Sequence, residues 1–117
     1  MRPHKKLEVW KAGMKLTSSI YDCVNRFPDS EKFGLISQMK RASVSIPSNI
    51  AEGASRQTKK EFRQFLFIAR GSLSELDTQL ELNLNLKLIE NEVFEDIVKE
   101  VNKVNAMLNG LLKSITS

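Results

Sequence analysis

Six cations near the middle of the chain have side chains that commonly bind phosphate, and they are Lys40, Arg41, Arg56, Lys59, Lys60 and Arg63. Lysine and arginine neutralise phosphate charge, and a guanidinium can fork onto a phosphate with two hydrogen bonds. These six residues are therefore the predicted nucleic-acid contacts. The alternative is a solvated rim that only keeps the protein soluble. The one aromatic residue among these cations, Phe62, falls on the apolar stripe of the third helix, so recognition of single strands by base stacking is not indicated.

Residues that could carry catalysis or bind a metal are few. Cys23 is the single cysteine and His4 the single histidine. This excludes an internal disulfide, a multi-thiolate zinc site, Ser-His-Asp chemistry and a di-iron bundle, which needs Glu-x-x-His pairs. Cys23 falls on an apolar helical stripe, so we expect a buried core thiol rather than a reactive one. We expect no enzyme, no metal and no cofactor.

Length and composition are those of one soluble domain. The chain has 117 residues, of which 41% are hydrophobic, and a formal net charge of +4. Residues 1–60 contain 12 Lys or Arg and 5 Asp or Glu, whereas residues 61–117 contain 6 and 9. No apolar run approaches the ~20 residues of a membrane span. The basic start lacks the apolar segment of a signal peptide. We expect a cytoplasmic protein with no membrane partner.

Apolar residues recur at helical spacing in four segments. In the first segment Val9, Gly13, Leu16, Ile20 and Cys23 follow steps of three and four, which trace one stripe of a helix. The four stripes predict helices at about 7–26, 31–53, 58–86 and 92–115, joined by short links that make neighbours antiparallel. The predicted fold is all-α, an antiparallel up-down-up-down four-helix bundle forming a single domain of residues 1–117.

The second segment keeps its helical phase through Pro47, which predicts one helix kinked at Pro47. Proline lacks the N–H that would bond the carbonyl of Ser43. We expect hydroxyls of Ser43, Ser45 and Ser48 to compensate at such a kink. Two short helices broken before Pro47 are the alternative.

Helix ends carry local signals. The predicted caps are Asp29 or Ser30 for the second helix start, Gly53 as its left-handed C-cap, Thr58 with Glu61 as a capping box, and Asn91 for the fourth helix start.

A chain reversal about Arg56 would place residues whose numbers sum to about 112 opposite each other in the second and third helices. Ala42 and Ser43 would then lie against Ala69 and Gly71, which lets the two helices approach closely at mid-height.

Several motifs occur together in a distinctive order. They are LEVWKA at residues 7–12, QMKRA at residues 38–42, SIPSNIAEG at residues 45–53, and Gly71-Ser72 followed by Glu75-Leu76. In this order and spacing they resemble the bacterial four-helix bundle family named for proteins encoded in intervening sequences of 23S ribosomal RNA genes. The SIPSNIAEG segment is the specific part of the resemblance, which covers nearly the whole chain.

The resemblance implies a homo-oligomeric ring, with a pentamer favoured. It also implies kinship with the accessory protein of diversity-generating retroelements, a basic pentameric barrel that binds nucleic acid and a reverse transcriptase. Structured RNA or DNA is thus an expected partner. A reverse transcriptase is a possible partner only because of the kinship with the retroelement accessory protein. Lys40 stands where many relatives have a second arginine, which keeps the charge but loses the bidentate fork.

Structural roles are expected within the SIPSNIAEG segment for Ser45, Ile46, Pro47, Asn49, Ile50, Glu52 and Gly53. Glu52 lies four residues before Arg56, which predicts an ion pair on one helix face. We expect Glu52→Ala to destabilise more than an ordinary surface substitution; a catalytic carboxylate is the alternative role. Trp10 and Tyr21 combine apolar area with one polar atom, which suits interfaces. The cluster of Phe62, Phe65, Leu66 and Phe67 covers more than one face of the third helix, so Phe67 joins Trp10 and Tyr21 as a predicted subunit contact.

Two functions stay open. The first is a non-enzymatic oligomeric bundle that acts as an adaptor and presents a basic surface to structured RNA or DNA. Binding would be electrostatic, and each copy in the symmetric oligomer would repeat the contact. The alternative is a protein–protein scaffold or accessory subunit whose ring assembly matters and which does not bind nucleic acid specifically.

Overall fold

The computed structural model describes residues 2–31 and 34–115. Its helices are α1 Glu8–Val24, α2 Leu35–Ala54, α3 Lys59–Asn85 and α4 Asn91–Ser114, with short 3-10 segments at Pro3–Lys6 and Asp29–Glu31. Within the described ranges no strand occurs. The predicted all-α, antiparallel four-helix bundle is confirmed. The predicted domain also includes residues 1, 32–33 and 116–117, which lie outside the described residues.

The four helices stand at the corners of a four-sided bundle. Helix α1 packs against α2 and α4, and α3 packs against the same two helices. In the described part of the chain α1 does not approach α3, nor α2 approach α4, so these pairs lie on the diagonals. The molecule measures 45 × 23 × 22 Å.

The core is made by the predicted apolar stripes of all four helices. Burying one leucine or isoleucine side chain contributes roughly 1.5–3 kcal/mol. The largest fully buried apolar residues are Leu16, Ile20, Met39, Ile46, Ile50, Leu66, Leu76, Leu80 and Leu108.

Helix α2 runs unbroken through Pro47, so one helix rather than two is confirmed, while the kink itself stays a prediction. The Ser43 carbonyl that Pro47 leaves without an N–H accepts a hydrogen bond of 2.9 Å from Thr17 Oγ1 of α1. Compensation by serines of α2 was therefore the wrong expectation. The Ser43 hydroxyl instead donates to the Lys40 carbonyl at 2.9 Å, and that of Ser45 pairs with Ser72 of α3 at 2.8 Å.

Gly53 marks a close approach of α2 and α3. A Cβ added at residue 53 would lie 2.8 Å from Phe65 Cβ, 2.9 Å from Phe62 Cδ1 and 3.2 Å from the Phe62 carbonyl oxygen. Gly53 lies inside α2, and none of the glycines in the described ranges has a positive φ. The predicted left-handed cap was therefore wrong, because this glycine is needed for helix contact rather than for backbone conformation.

The predicted register of α2 against α3 was also wrong. The contacts Ser45–Ser72 and Met39–Asn83 join residues whose numbers sum to 117 and 122, because the chain reverses beyond Arg56, nearer to Thr58. Gly71 is exposed, and an added Cβ there would meet nothing within 4 Å. Gly71 thus takes no part in a close approach of the two helices, whereas Gly53, near the end of α2, does.

The Thr58 cap at the start of α3 is confirmed, and Glu61 reaches back to the Thr58 hydroxyl rather than to the Thr58 backbone N–H. The Thr58 hydroxyl accepts from the Glu61 N–H at 3.1 Å and donates to Glu61 Oε1 at 3.0 Å.

The other predicted caps were wrong, because the chain takes extra turns before α2 and starts α4 one residue early. Asp29 and Ser30 lie in a separate 3-10 segment, and α2 begins after Gly34. Asn91 is already the first residue of α4, with Glu90 at the N-cap.

Gly53→Ala should lower the free energy of unfolding by roughly 1–3 kcal/mol, because the added methyl overpacks the α2–α3 contact. Gly71→Ala is the matched control, and it should raise stability by roughly 0.5–1 kcal/mol since an exposed helical glycine only costs backbone entropy. Urea unfolding followed by circular dichroism measures both. Similar effects of the two substitutions would contradict the close approach at Gly53.

Thr17→Val should lower the free energy of unfolding by roughly 1–3 kcal/mol, because the Ser43 carbonyl in a buried position loses its donor. Thr17→Ser keeps the hydroxyl and should retain most of that stability. Thermal and urea unfolding compare the three proteins. A valine variant as stable as the serine variant would show that the Thr17–Ser43 bond is unimportant.

Candidate nucleic-acid interface

Contacts between helices show which ends of the bundle coincide. Gly13, near the start of α1, lies against Ile46 and Pro47, in the second half of α2. Arg63, near the start of α3, donates through Nη1 to the Leu112 carbonyl at 2.6 Å, close to the end of α4. The N-terminal 3-10 segment packs on α1 and α2. One end of the bundle therefore gathers both chain termini of the described region and the α2–α3 link.

Three polar contacts mark the middle of the bundle. They are Thr17–Ser43, Ser45–Ser72 and Ser19–Glu100. We call the half on the side of the α2–α3 link the basic end; it comprises residues 2–16, 44–72 and 103–115. We call the opposite half the acidic end; it comprises residues 17–31, 34–43 and 73–102.

Charge is separated along the bundle axis. The basic end has 12 Lys or Arg and 3 Asp or Glu, a formal charge of +9, and the acidic end has 5 and 11, a charge of −6. The charge counts of residues 1–60 and 61–117 did not reveal this separation. Antiparallel helices place residues from each of these two parts at both ends of the bundle. The cations of the basic end are Arg2, Lys5, Lys6, Lys11, Lys15, Arg56, Lys59, Lys60, Arg63, Arg70, Lys103 and Lys113.

Four of the six predicted nucleic-acid contacts come together at the basic end. Lys59 and Lys60 are exposed and form no ion pair or hydrogen bond through their side chains with any residue of the described ranges. Arg56 Nη2 pairs with Glu52 Oε1 at 2.7 Å, and Arg63 is held by the Leu112 carbonyl. The two lysines are thus the most available phosphate ligands of the four.

The other two predicted contacts lie apart from this cluster. Lys40 and Arg41 belong to the acidic end, about 22 Å from Arg56 at 1.5 Å per helical residue. Lys40 Nζ lies 5.0 Å from the centroid of the Tyr21 ring. Arg41 is exposed and lines a groove between α2 and α3 that also contains Glu75. The structure therefore does not join these two residues to the other four.

Sequence reasoning missed eight of the twelve cations at the basic end, three of which lie near the ends of the described chain. Lys5 and Lys6 lie in the N-terminal 3-10 segment, and Lys113 lies in the last turn of α4. The predicted topology could have located these three cations. With an even number of antiparallel helices, the start and the end of the chain lie at the same end of the bundle.

The SIPSNIAEG segment has packing and hydrogen-bonding roles. Ile46 and Ile50 are fully buried, and Pro47 packs against Gly13 of α1. The Asn49 side-chain amide donates to the Ser45 carbonyl at 2.8 Å and to the Ser45 hydroxyl at 2.9 Å. Since Ser45 also bonds Ser72, this segment ties α2 to both α1 and α3.

The predicted ion pair of Glu52 and Arg56 is present at 2.7 Å, with side chains 52% and 40% exposed. An exposed pair of this kind contributes only ~0.2–1 kcal/mol. Glu52 also lies in the last turn of α2, where the helix dipole disfavours an anion. The exposure removes the reason to expect an unusually large loss of stability from Glu52→Ala.

The three predicted subunit-contact residues differ in exposure. Trp10 is half-buried against the core, and its ring meets that of His4 edge-on with centroids 5.0 Å apart. Tyr21 is 38% exposed and Phe67 is 43% exposed. Tyr21 lies beside α2, whereas Phe67 lies under the guanidiniums of Arg63 and Arg70 on the α4 side of α3.

Cys23 is buried, as expected for a core thiol. Burial raises the pKa of the Cys23 thiol, an effect that Arg26 offsets only partly. Across the described ranges no group of three or more His, Cys, Asp or Glu side chains could hold a metal ion.

In the described part of the chain, none of the helices α1–α4 is both long enough and apolar enough to cross a bilayer.

The fold and the charged end define a helical bundle with a polarised surface. The family model described as 23S rRNA-intervening sequence protein matches residues 5–110, and the chain belongs to this family. A solved structure from Bacteroides thetaiotaomicron, described as a protein with unknown function from the S23 ribosomal protein family, is similar to this chain. The two share 25% sequence identity with a TM-score of 0.84 over 90% of this chain and 95% of the other. No curated protein matches the sequence significantly.

Glu52→Ala should change the free energy of unfolding by less than ~1 kcal/mol, since the pair it removes is exposed. Glu8→Ala is the matched control, because Glu8 also forms an exposed pair, with Lys11 at 3.3 Å. Urea unfolding of both variants measures the difference. A loss for Glu52→Ala far larger than that for Glu8→Ala would show that Glu52 holds a wider network.

Proposed function

We propose that this protein is a non-enzymatic, self-associating bundle of the bacterial cytoplasm that presents its basic end to structured RNA or DNA, as an adaptor. One observation carries the proposal: a formal charge of +9 on one half of the bundle, against −6 on the other. A polyanion meets attraction at one end and repulsion at the other. Nucleic acid would therefore dock end-on, with the acidic end directed away from it.

Lys59 and Lys60 are the side chains best placed for phosphate contact, because they are exposed and unpaired within the described chain. Lysine contacts with phosphates release condensed counterions, so binding should weaken steeply with salt. Assembly of several copies, with a pentamer favoured, would repeat the contact and raise the affinity through effective concentration.

Aromatic groups at the basic end favour phosphate contact over base stacking. Phe62 and Phe65 are half-buried, and Arg56 lies 4.8 Å from the centroid of the Phe65 ring. Phe67 is covered by two guanidiniums. Stacking on single-stranded bases needs free aromatic faces, so a structured backbone of phosphates is the better ligand.

The three carboxylates at the basic end have partners of their own. Glu8 pairs with Lys11, Glu52 pairs with Arg56, and Glu61 accepts from the Thr58 hydroxyl. General acid–base catalysis needs a carboxyl group placed against a bound substrate, and these partners support a binding role at this end instead.

The family name refers to an insertion in the 23S rRNA gene, and the similar solved protein carries the name of a ribosomal protein family. Both names support RNA as the first ligand to test. A reverse transcriptase partner rests on kinship alone.

A protein–protein scaffold is the second candidate function. It is favoured by exposed apolar side chains on the sides of the bundle, among them Tyr21, Val44 and Leu82. In that case the ring would matter and the basic end would only contribute to solubility.

Lys59→Glu/Lys60→Glu should weaken binding to a hairpin RNA by at least about tenfold at 150 mM salt and reduce the salt slope by about one per lost contact, because phosphate ligands are lost. The matched control is Lys87→Glu/Lys99→Glu at the acidic end, which gives the same net charge. Fluorescence anisotropy with the hairpin and a length-matched duplex DNA measures both.

Equal weakening by the two double variants would show that net charge alone governs binding. Salt-resistant binding that neither variant changes, or no binding by the unmodified protein, would contradict the use of the basic end and favour the scaffold.

A further inference from the structure

A cavity of about 290 Å³ lies at the acidic end, between the chain that leaves α1 and the link of residues 86–90 that joins α3 to α4. Its apolar wall is formed by Phe27 and Ile89, which are buried, together with the half-buried Leu88 and Val93. Sites for small molecules combine an apolar wall of this kind with a few polar groups that orient the ligand.

Three charged side chains line the same cavity, the cations Arg26 and Lys87 and the anion Glu90. None of the three forms an ion pair or a side-chain hydrogen bond with another residue of the described chain. The acidic end has five Lys or Arg, and two of the five line this one cavity. A local excess of positive charge therefore lies within an end whose formal charge is −6.

The backbone of Lys87 adopts a conformation that usually belongs to glycine. Its φ is 60°, in the left-handed region where a side chain is disfavoured. The Lys87 N–H donates to the Leu84 carbonyl at 3.1 Å, and the Leu88 N–H donates to the Asn83 carbonyl at 2.9 Å. These two bonds form the Schellman motif, which commonly has glycine at this position. Strained conformations of this kind are concentrated at functional sites, and here the strained residue places a cation in the wall of the cavity.

The charge pattern distinguishes among the ligands that would fit. A simple anion is attracted by Arg26 and Lys87 but is repelled by Glu90 and by the acidic end as a whole. A simple cation is attracted by the acidic end but is repelled by the two cations in the cavity. A zwitterion has no net charge, and each of its charged groups finds an opposite charge in the wall.

We propose that this cavity binds a free α-amino acid with an apolar side chain, such as leucine or phenylalanine. The α-carboxylate lies against Arg26 and Lys87, the α-ammonium group lies against Glu90, and the side chain packs on Phe27 and Ile89. One water takes up about 30 Å³ of liquid, so the cavity has room for roughly ten non-hydrogen atoms, about the size of such an amino acid. The basic end takes no part in this site.

Calorimetric titration of the full chain with leucine and with phenylalanine tests the site. At least one of them should bind with a dissociation constant of about 1 mM or tighter. Analogues that lack the ammonium group are isocaproate and hydrocinnamate, and those that lack the carboxylate are isoamylamine and phenethylamine. Each should bind at least about tenfold more weakly than its parent amino acid, because charged groups of the site are left without a partner.

Substitutions of the two cations locate the binding site. Arg26→Gln and Lys87→Gly should each weaken binding of the amino acid at least about tenfold, because contacts with the carboxylate are lost. Lys87→Gly should also raise the midpoint of urea unfolding, since glycine adopts a positive φ without strain. Its loss of binding would therefore not result from unfolding. Lys99→Ala is the matched control, because Lys99 is an exposed cation of the acidic end outside the cavity, and its affinity should be unchanged.

Glu90→Gln separates recognition of the ammonium group from a structural effect. The substitution should weaken binding of the amino acid and strengthen binding of the analogue that lacks the ammonium group, because Glu90 attracts the first ligand and repels the second. Loss of structure would weaken both.

The absence of binding by both amino acids up to about 10 mM would overturn the site. So would an analogue that binds as tightly as its parent, or an equal loss of affinity in Lys99→Ala and Lys87→Gly. The inference does not rest on nucleic-acid binding, and the two fail separately. A protein that binds leucine and ignores RNA defeats only the proposed function, and one that binds RNA but neither amino acid defeats only this site.

Discussion

The contact of residue 53 with Phe62 and Phe65 constrains the geometry of the whole bundle. Because Gly53 has no side chain, α3 can lie directly on the last turn of α2. This close approach is compatible with the short link of residues 55–58, which holds Lys59 and Lys60 at the surface. On its other side α2 packs against α1, where the Ser43 carbonyl freed by Pro47 accepts a hydrogen bond from the Thr17 hydroxyl. Packing at one glycine thus sets the α2–α3 contact, and a hydroxyl from α1 completes the backbone bonding of α2.

The charged end and the apolar sides make different demands on the surface, and the bundle keeps them apart. Long-range attraction of a polyanion needs charge of one sign over a wide area. A contact between copies needs apolar groups with paired charges and little net charge. The basic end carries charge of mostly one sign, and the sides around Val44 and Leu82 carry apolar groups with charges of both signs. Lys40 and Arg41 lie on those sides, among apolar groups and charges of both signs.

Local features of this fold could be predicted from the sequence, whereas features that depend on distances between helices could not. The apolar stripes and the Thr58–Glu61 capping box are set by neighbours within a few residues. The role of Gly53 and the register of α2 on α3 depend on where the link reverses, which no local pattern specifies. The same is true of the basic end, whose cations Lys5, Lys60 and Lys113 come from distant parts of the chain. For that reason the sequence grouped Lys40 with Arg56, and the structure separates them.

An even number of helices brings the two ends of the described chain to the basic end, and this has a practical consequence. A purification tag, a fluorophore or a fused domain on either terminus would stand beside Lys59 and Lys60 and screen them from a large ligand. The α3–α4 link, in which Lys87 has a positive φ of 60°, lies at the far end of the molecule. Joining the two ends of the described chain with a short linker and opening the chain at the α3–α4 link would give a circular permutant whose attachments point away from the cations.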